Sequence, residues 1–194
     1  MDFVYSIVEL IQPYKMKKLF YILLCVSFGV CGQDHPKVGD LINGGIVFYI
    51  NTEESYGLIA STSDLEEKYI WGCFNTYLNG AQAAVIGMGS QNTSDIVSEC
   101  PNKTIAARKA IEHEFDGYSD WYLPSRQELL EMYSKIGPQS QVSNITEFQN
   151  RWYWSSTEES KYHAWTVNMT SGEEFFGLKD QFGLVRVIRT FYLE

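Results

Sequence analysis

The residues of this chain with the means to do chemistry are its 3 histidines, its adjacent acid pairs and a set of tryptophan-centred segments. The acid pairs are Glu53-Glu54, Glu66-Glu67, Glu158-Glu159 and Glu173-Glu174. Glycoside hydrolysis needs two carboxylates held roughly 5–9.5 Å apart across a cleft. Neighbours in a strand point to opposite faces, so a doublet does not supply that geometry. Calcium takes several oxygens, and the acids leave it open as a ligand, but no Asp-x-Asp loop supports it and no cofactor is expected. The sequence also lacks a Gly-x-Ser-x-Gly elbow, a His-Glu-x-x-His helix and a Walker phosphate loop. Gly87-Met88-Gly89 starts like a dinucleotide loop, but Asn92 stands where the third glycine belongs.

The tryptophan segments are Asp120-Trp121-Tyr122-Leu123-Pro124-Ser125, Trp152-Tyr153-Trp154-Ser155-Ser156-Thr157-Glu158 and Ala164-Trp165. Core packing accounts for most such aromatics. Those left exposed beside Ser, Thr and Glu make an apolar platform ringed by polar groups, as in a small-molecule or sugar site. His35 falls in a polar lead-in and His113 on a helix, whereas His163 stands near Tyr162, Trp165, Glu158 and Glu159. A ligand site is therefore expected at the loop from Glu158 to Trp165. There Tyr162 and Trp165 would offer flat apolar faces beside His163, and Glu158 and Arg186 would orient the ligand.

The elements that must hold this loop read as strands at both ends of the chain with about three helices between, an α+β domain. Ile46–Ile50 and Tyr56–Ala60 form an opening hairpin. Gly87 to Thr93 reads as a turn leading into a short helix over 94–99, stopped by Pro101. Thr104 is expected to cap a second helix over 105–115, ended by Asp116-Gly117. Ser125 and Glu128 match a capping box for a third, with Leu129, Met132, Tyr133 and Ile136 at helical spacing before Gly137-Pro138. Strands follow at 152–156, 164–169, 173–178 and 184–192, with Ser171-Gly172 as a hairpin turn.

Charge and targeting bound the partners. Met16-Lys17-Lys18 and the apolar run Leu19 to Val30 have the layout of a secretory signal, with cleavage after Gly32 and Met16 as an alternative start; an uncut signal anchor and a lipoprotein lipidated on Cys31 or Cys25 are the alternatives. The run is too short for a membrane span, which takes about 20 residues. Residues 33–194, read as a single domain, hold 12 Lys and Arg against 22 Asp and Glu, a charge of −10. That sign repels phosphate backbones, so nucleic acid is not an expected partner. Of the 4 cysteines, Cys73 and Cys100 lie in this domain. In an oxidising compartment they can pair; two buried free thiols are the alternative. The expected location is extracytoplasmic: secreted, periplasmic or at the cell surface.

One ordered series of motifs carries a resemblance. It runs Gly44-Gly45-Ile46-Val47-Phe48-Tyr49, Trp71-Gly72, Ile86-Gly87-Met88-Gly89 with Asn92-Thr93, and Asp120-Trp121-Tyr122-Leu123-Pro124-Ser125 with Glu128-Leu129. It continues through Tyr153-Trp154-Ser155-Ser156-Thr157-Glu158, Ala164-Trp165 and Val185-Arg186-Val187-Ile188-Arg189. Over roughly residues 40–192 the chain resembles the C-terminal domain of the Legionella collagen-like adhesin, the Lcl C-terminal domain family. The resemblance implies an extracellular domain of C-type-lectin-like fold, related in architecture to formylglycine-generating enzymes. The family's adhesin is associated with binding sulfated glycans. The expected function is a secreted or surface-exposed binding or adhesion module for a neutral glycan or an extracellular protein, without catalysis. No Gly-x-y stalk and no Glu-Pro-Asn or Gln-Pro-Asp tripeptide occurs in the sequence, and the negative charge disfavours sulfated glycans. Two alternatives remain: an extracytoplasmic enzyme, of formylglycine-generating type using Cys73 and Cys100 or of another kind, and a structural envelope protein.

Overall fold

The computed structural model describes residues 35–142 and 147–194. The expected signal segment, 1–32, lies outside the described residues. Pro36–Glu194 makes one compact unit. Its architecture is α+β, with strands toward both ends and helices between.

The first sheet grows from two tight turns. β1 (Leu41–Ile42) meets β2 (Gly45–Asn51) across Asn43-Gly44, both at positive φ, and β2 pairs antiparallel with β3 (Tyr56–Ser61). The final strand, β9 (Ile188–Tyr192), closes the order β1-β2-β3-β9. Period-two alternation divides the core between the two faces of this sheet. Ile46, Phe48, Leu58, Ala60 and Ile188 pack in one apolar cluster with Leu129, Met132 and Tyr153. Val47, Ile59 and Phe191 pack in another with Trp71, Trp121 and Trp154.

Three helices occupy the middle of the described chain, and two depart from the sequence expectation. α1 (Gly89–Glu99) begins five residues before Ser94. Its N-terminus is not capped by its own sequence. The Glu128 carboxylate accepts the Gly87 N–H at 2.8 Å from a distant segment, and the glycine at 89 lets that carboxylate approach. α2 (Ala106–Ile111) is shorter than expected, and Thr104 does not cap it. The Thr104 hydroxyl bonds Asn102 Oδ1 at 2.9 Å instead, and Ile105 takes the N-cap position. Asp116-Gly117 is a hairpin turn rather than a helix stop. Both residues have positive φ, and Phe115 and Tyr118 exchange backbone hydrogen bonds at 3.0 Å across it. α3 (Arg126–Ile136) is capped as expected by the reciprocal Ser125–Glu128 box.

The candidate site rests on the second sheet, β5 (Trp152–Glu158), β6 (His163–Asn168) and β7 (Glu174–Leu178), in that order. The expected strand over 184–192 is divided. Only β9 is a strand of that segment, while Leu184 makes a parallel bridge to Tyr153 beside β5. A short β8 (Phe182–Gly183) pairs with β4 (Tyr69–Ile70). β7 has no described strand on its other side.

Candidate ligand-binding face

The surface of β5-β6-β7 is built from alternation. Trp165 lies opposite Phe176 and His163 opposite Leu178 on one face; Thr166 lies opposite Phe175 and Trp154 opposite Thr166 on the other. β7 therefore carries apolar side chains on both faces, and as an edge strand it leaves them open. Phe175 is 52% exposed, Phe176 41% and Leu178 41%. Beyond the strand, Phe182 is 71% exposed.

These residues border a groove of about 500 Å³ lined by Trp152, Trp154, Phe175, Gly177, Phe182 and Gly183, among others. Its floor is the Trp154 indole, whose N–H donates to the Tyr69 carbonyl at 2.9 Å. Gly177 and Gly183 make room for that ring: a Cβ at either position would sit within 3.0 Å of it. Trp152 and Phe175 form one wall, their ring centroids 5.8 Å apart. The contacts run on from Phe175 to Phe176 at 5.1 Å, and from Phe176 to His163 at 5.3 Å and Trp165 at 5.8 Å. Arg126 stacks over Trp165 at 3.7 Å and bridges Glu174, which orients that indole from the N-terminus of α3. The result is an aromatic belt along the edge of the sheet.

The five residues singled out in the sequence separate into two groups. Tyr162, His163 and Trp165 are on or beside this belt. The turn before β6 places them: Ser160 Oγ accepts the Tyr162 and His163 N–H groups, and Glu159 N–H bonds the His163 carbonyl at 3.0 Å. Tyr162 packs on Phe74 at 5.4 Å, with Lys161 over its ring. Glu158 and Arg186 are elsewhere, and both are buried. The Glu158 carboxylate is paired with Lys179 and also accepts the Leu78 N–H at 3.1 Å and Gln82 Nε2 at 2.7 Å. Arg186 stands behind a polar cleft formed by residues 62–66 and 147–149. It donates to Asp64 at 2.8 Å and to the Ser61 and Glu147 carbonyls. With every polar end held by the protein, these two shape the fold and leave nothing free to orient a ligand.

Sequence reasoning passed over Phe175, Phe176, Leu178 and Phe182. The available signal was a strand with apolar residues at both parities, which fits either a fully buried strand or an open edge. Among the described residues, no three His, Cys, Asp or Glu side chains converge as metal ligands would. Cys73 and Cys100 form a disulfide, with Cα atoms 5.7 Å apart.

The family model for the Lcl C-terminal domain matches residues 60–189, from within β3 to within β9. The chain belongs to the Lcl C-terminal domain family. The matched span includes the whole aromatic belt and both cysteines of this Lcl C-terminal domain. Among solved structures it is similar to a fimbrial protein from Bacteroides ovatus, at 14% identity and a TM-score of 0.47. That alignment covers 70% of this chain and 36% of the fimbrial protein, so this chain spans about a third of that protein's length. No curated protein matches the sequence. No described helix is long and apolar enough to cross a membrane.

Proposed function

We propose that this Lcl C-terminal domain is an extracytoplasmic adhesion module, without catalysis, that takes its ligand on the aromatic belt of β5-β6-β7. The carrying observation is the exposure of Phe175, Phe176, Leu178 and Phe182 together around one groove. Contiguous apolar surface of this kind marks an interaction site, because water alone is a poor partner for it. The disulfide supports an oxidising compartment. It also withholds the free thiol that a formylglycine-generating enzyme would need. A purely structural envelope role leaves the open groove without a purpose. The lectin-like reading of the fold belongs to the same proposal.

Between a glycan and a polypeptide, the lining favours a polypeptide. A sugar ring needs hydrogen-bonding groups around its stacking face. Here the Thr166 hydroxyl is spent on the Phe175 carbonyl at 2.8 Å and the Trp154 N–H on Tyr69, which leaves His163 and Gln181 as the other polar side chains of a lining that is otherwise apolar. The charge of −10 over residues 33–194 favours a neutral or cationic ligand. The test is a parallel screen of glycan and peptide arrays with wild type and a folded Phe175→Ser/Phe182→Ser variant. Binding on the peptide array that the variant loses is the expected result. Tight, salt-sensitive capture of sulfated glycans, or equal binding by the variant, would overturn the reading.

A further inference from the structure

The free side of β7 adds a second recognition element to the aromatic groove: an ordered row of main-chain groups. The β6-β7 register fixes which groups these are. The Lys179 N–H donates to the Tyr162 carbonyl at 2.9 Å, and the Asn168 N–H donates to the Glu173 carbonyl at 2.9 Å. Both pairs obey the same register as His163↔Leu178 and Trp165↔Phe176. In an antiparallel ladder, hydrogen-bonded and non-hydrogen-bonded pairs alternate. The odd-numbered residues of β7 therefore bond to β6, and Glu174, Phe176 and Leu178 direct their N–H groups outward. The carbonyls of Glu174 and Phe176 point the same way, while that of Leu178 is taken by the Gln181 N–H at 2.9 Å.

Edge strands are commonly shielded by proline, lysine, a bulge or a covering segment. β7 has no proline, lysine or bulge, and no described strand covers it. Its one charged side chain, Glu174, is bridged to Arg126. The two ends are acidic: Glu173 precedes the strand, and the exposed Asp180 follows it.

The geometry points to strand addition: β7 receives an extended segment of a different protein, with alternating apolar residues and basic residues at its ends. This rests on the adhesion reading above and names the mode of binding. Main-chain hydrogen bonds to 174, 176 and 178 would supply affinity. One parity of the incoming side chains would fall over Phe175 and the groove, the other over Phe176 and Leu178. Charge selects a different protein over a second copy of this chain. Two copies of residues 33–194 would each bring a charge of −10, whereas basic ends would meet Glu173 and Asp180.

A displayed library of random dodecapeptides, panned on the intact domain, tests this. The expected winners have apolar residues at alternate positions and Lys or Arg at both ends, and their binding weakens as salt is raised. Synthetic winners are then titrated against Phe176→Ala and Phe176→Pro. Both variants lose the ring, but only proline also removes the outward N–H, with no bond to β6 broken. Proline should weaken binding about tenfold beyond alanine, the effect of one lost hydrogen bond. Independently of either variant's folding, the Phe176 amide of wild type should become protected from hydrogen exchange when the peptide binds. Equal loss in both folded variants with an unprotected amide would overturn strand addition while leaving the aromatic face as a binding site. An empty selection, or winners without alternation, would also overturn it. So would a wild-type dimer in sedimentation that Phe176→Pro disperses, which would give the edge to a second copy instead.

Discussion

Ser125 shows how much one side chain can hold when three segments meet on it. Its hydroxyl accepts the Glu128 N–H at 3.3 Å and donates to the Val85 carbonyl at 2.9 Å, while its own N–H donates to Glu128 at 2.7 Å. Ser125→Ala removes a helix cap and leaves the Val85 carbonyl without its donor. An N-cap substitution costs about 0.5–2 kcal/mol, and burial places this one toward about 2. The denaturation midpoint reports it, and an unchanged midpoint would show that the cap adds nothing. His113 gives a prediction with a pH sign. It packs against Phe115 and Trp121, and burial lowers its pKa below the ordinary 6.5. The unfolded chain then takes up the proton more readily, so the contribution is full above 6.5 and is lost as pH falls through the lower folded value. His113→Phe should flatten that decline in thermal scans between about pH 7.5 and 5; an identical slope in the variant would rule His113 out as its source.

At the scale of elements, the ion pair of Glu158 and Lys179 ties the end of β5 to the residue after β7. Both side chains are fully buried, and Lys179 also donates to the Thr76 carbonyl at 2.9 Å beneath Trp71. Burial pulls the Lys179 pKa down, against the pull of Glu158. Lys179→Met leaves a carboxylate buried without its cation, which costs about 3–5 kcal/mol. Adding Glu158→Gln should recover most of that loss in denaturant unfolding. No recovery would mean that packing, not charge, sets the effect. The same elements show which parts of the fold were legible in sequence. α3 was readable to its cap because Ser125 and Glu128 are three residues apart. The start of α1 was not, since its anion, Glu128, lies some forty residues away along the chain. Asp116-Gly117 is compatible with a helix stop or a hairpin turn, and only Tyr118 returning to Phe115 decides it. Tyr162 was legible as an exposed residue because the turn before β6 carries it, whereas His163 and Trp165 lie within β6, half-buried against Phe176, a contact that no local pattern contains. Glu158 and Arg186 were misjudged because nothing local reveals Lys179 or Asp64 waiting in the fold. The edge position of β7 depends on strand order, which no local pattern contains.

For the molecule as a whole, the disulfide links its stability to the redox state of its surroundings. The bridge joins Cys73, just after β4, to Cys100 at the end of α1, a sequence separation of 27 residues. Closing a loop of that length restricts the unfolded chain and stabilises the fold by roughly 3 kcal/mol. Cys100 is buried in the cluster with Trp71, Ile105 and Ala106, so the bridge is anchored in the core. A domain with a net stability of about 5–15 kcal/mol would lose a large share of it on reduction. The aromatic belt makes that loss consequential, because Lys179, the residue next to β7, hydrogen-bonds the loop that follows Cys73. Loosening the loop would loosen the support of β7. The Cys73→Ser/Cys100→Ser variant should therefore unfold about 2–4 kcal/mol more easily. It should also show faster hydrogen exchange at Thr76 to Leu78 and along β7 than at β2 and β3. Uniform acceleration across both sheets would mean that the bridge acts on global stability alone and does not support β7 locally.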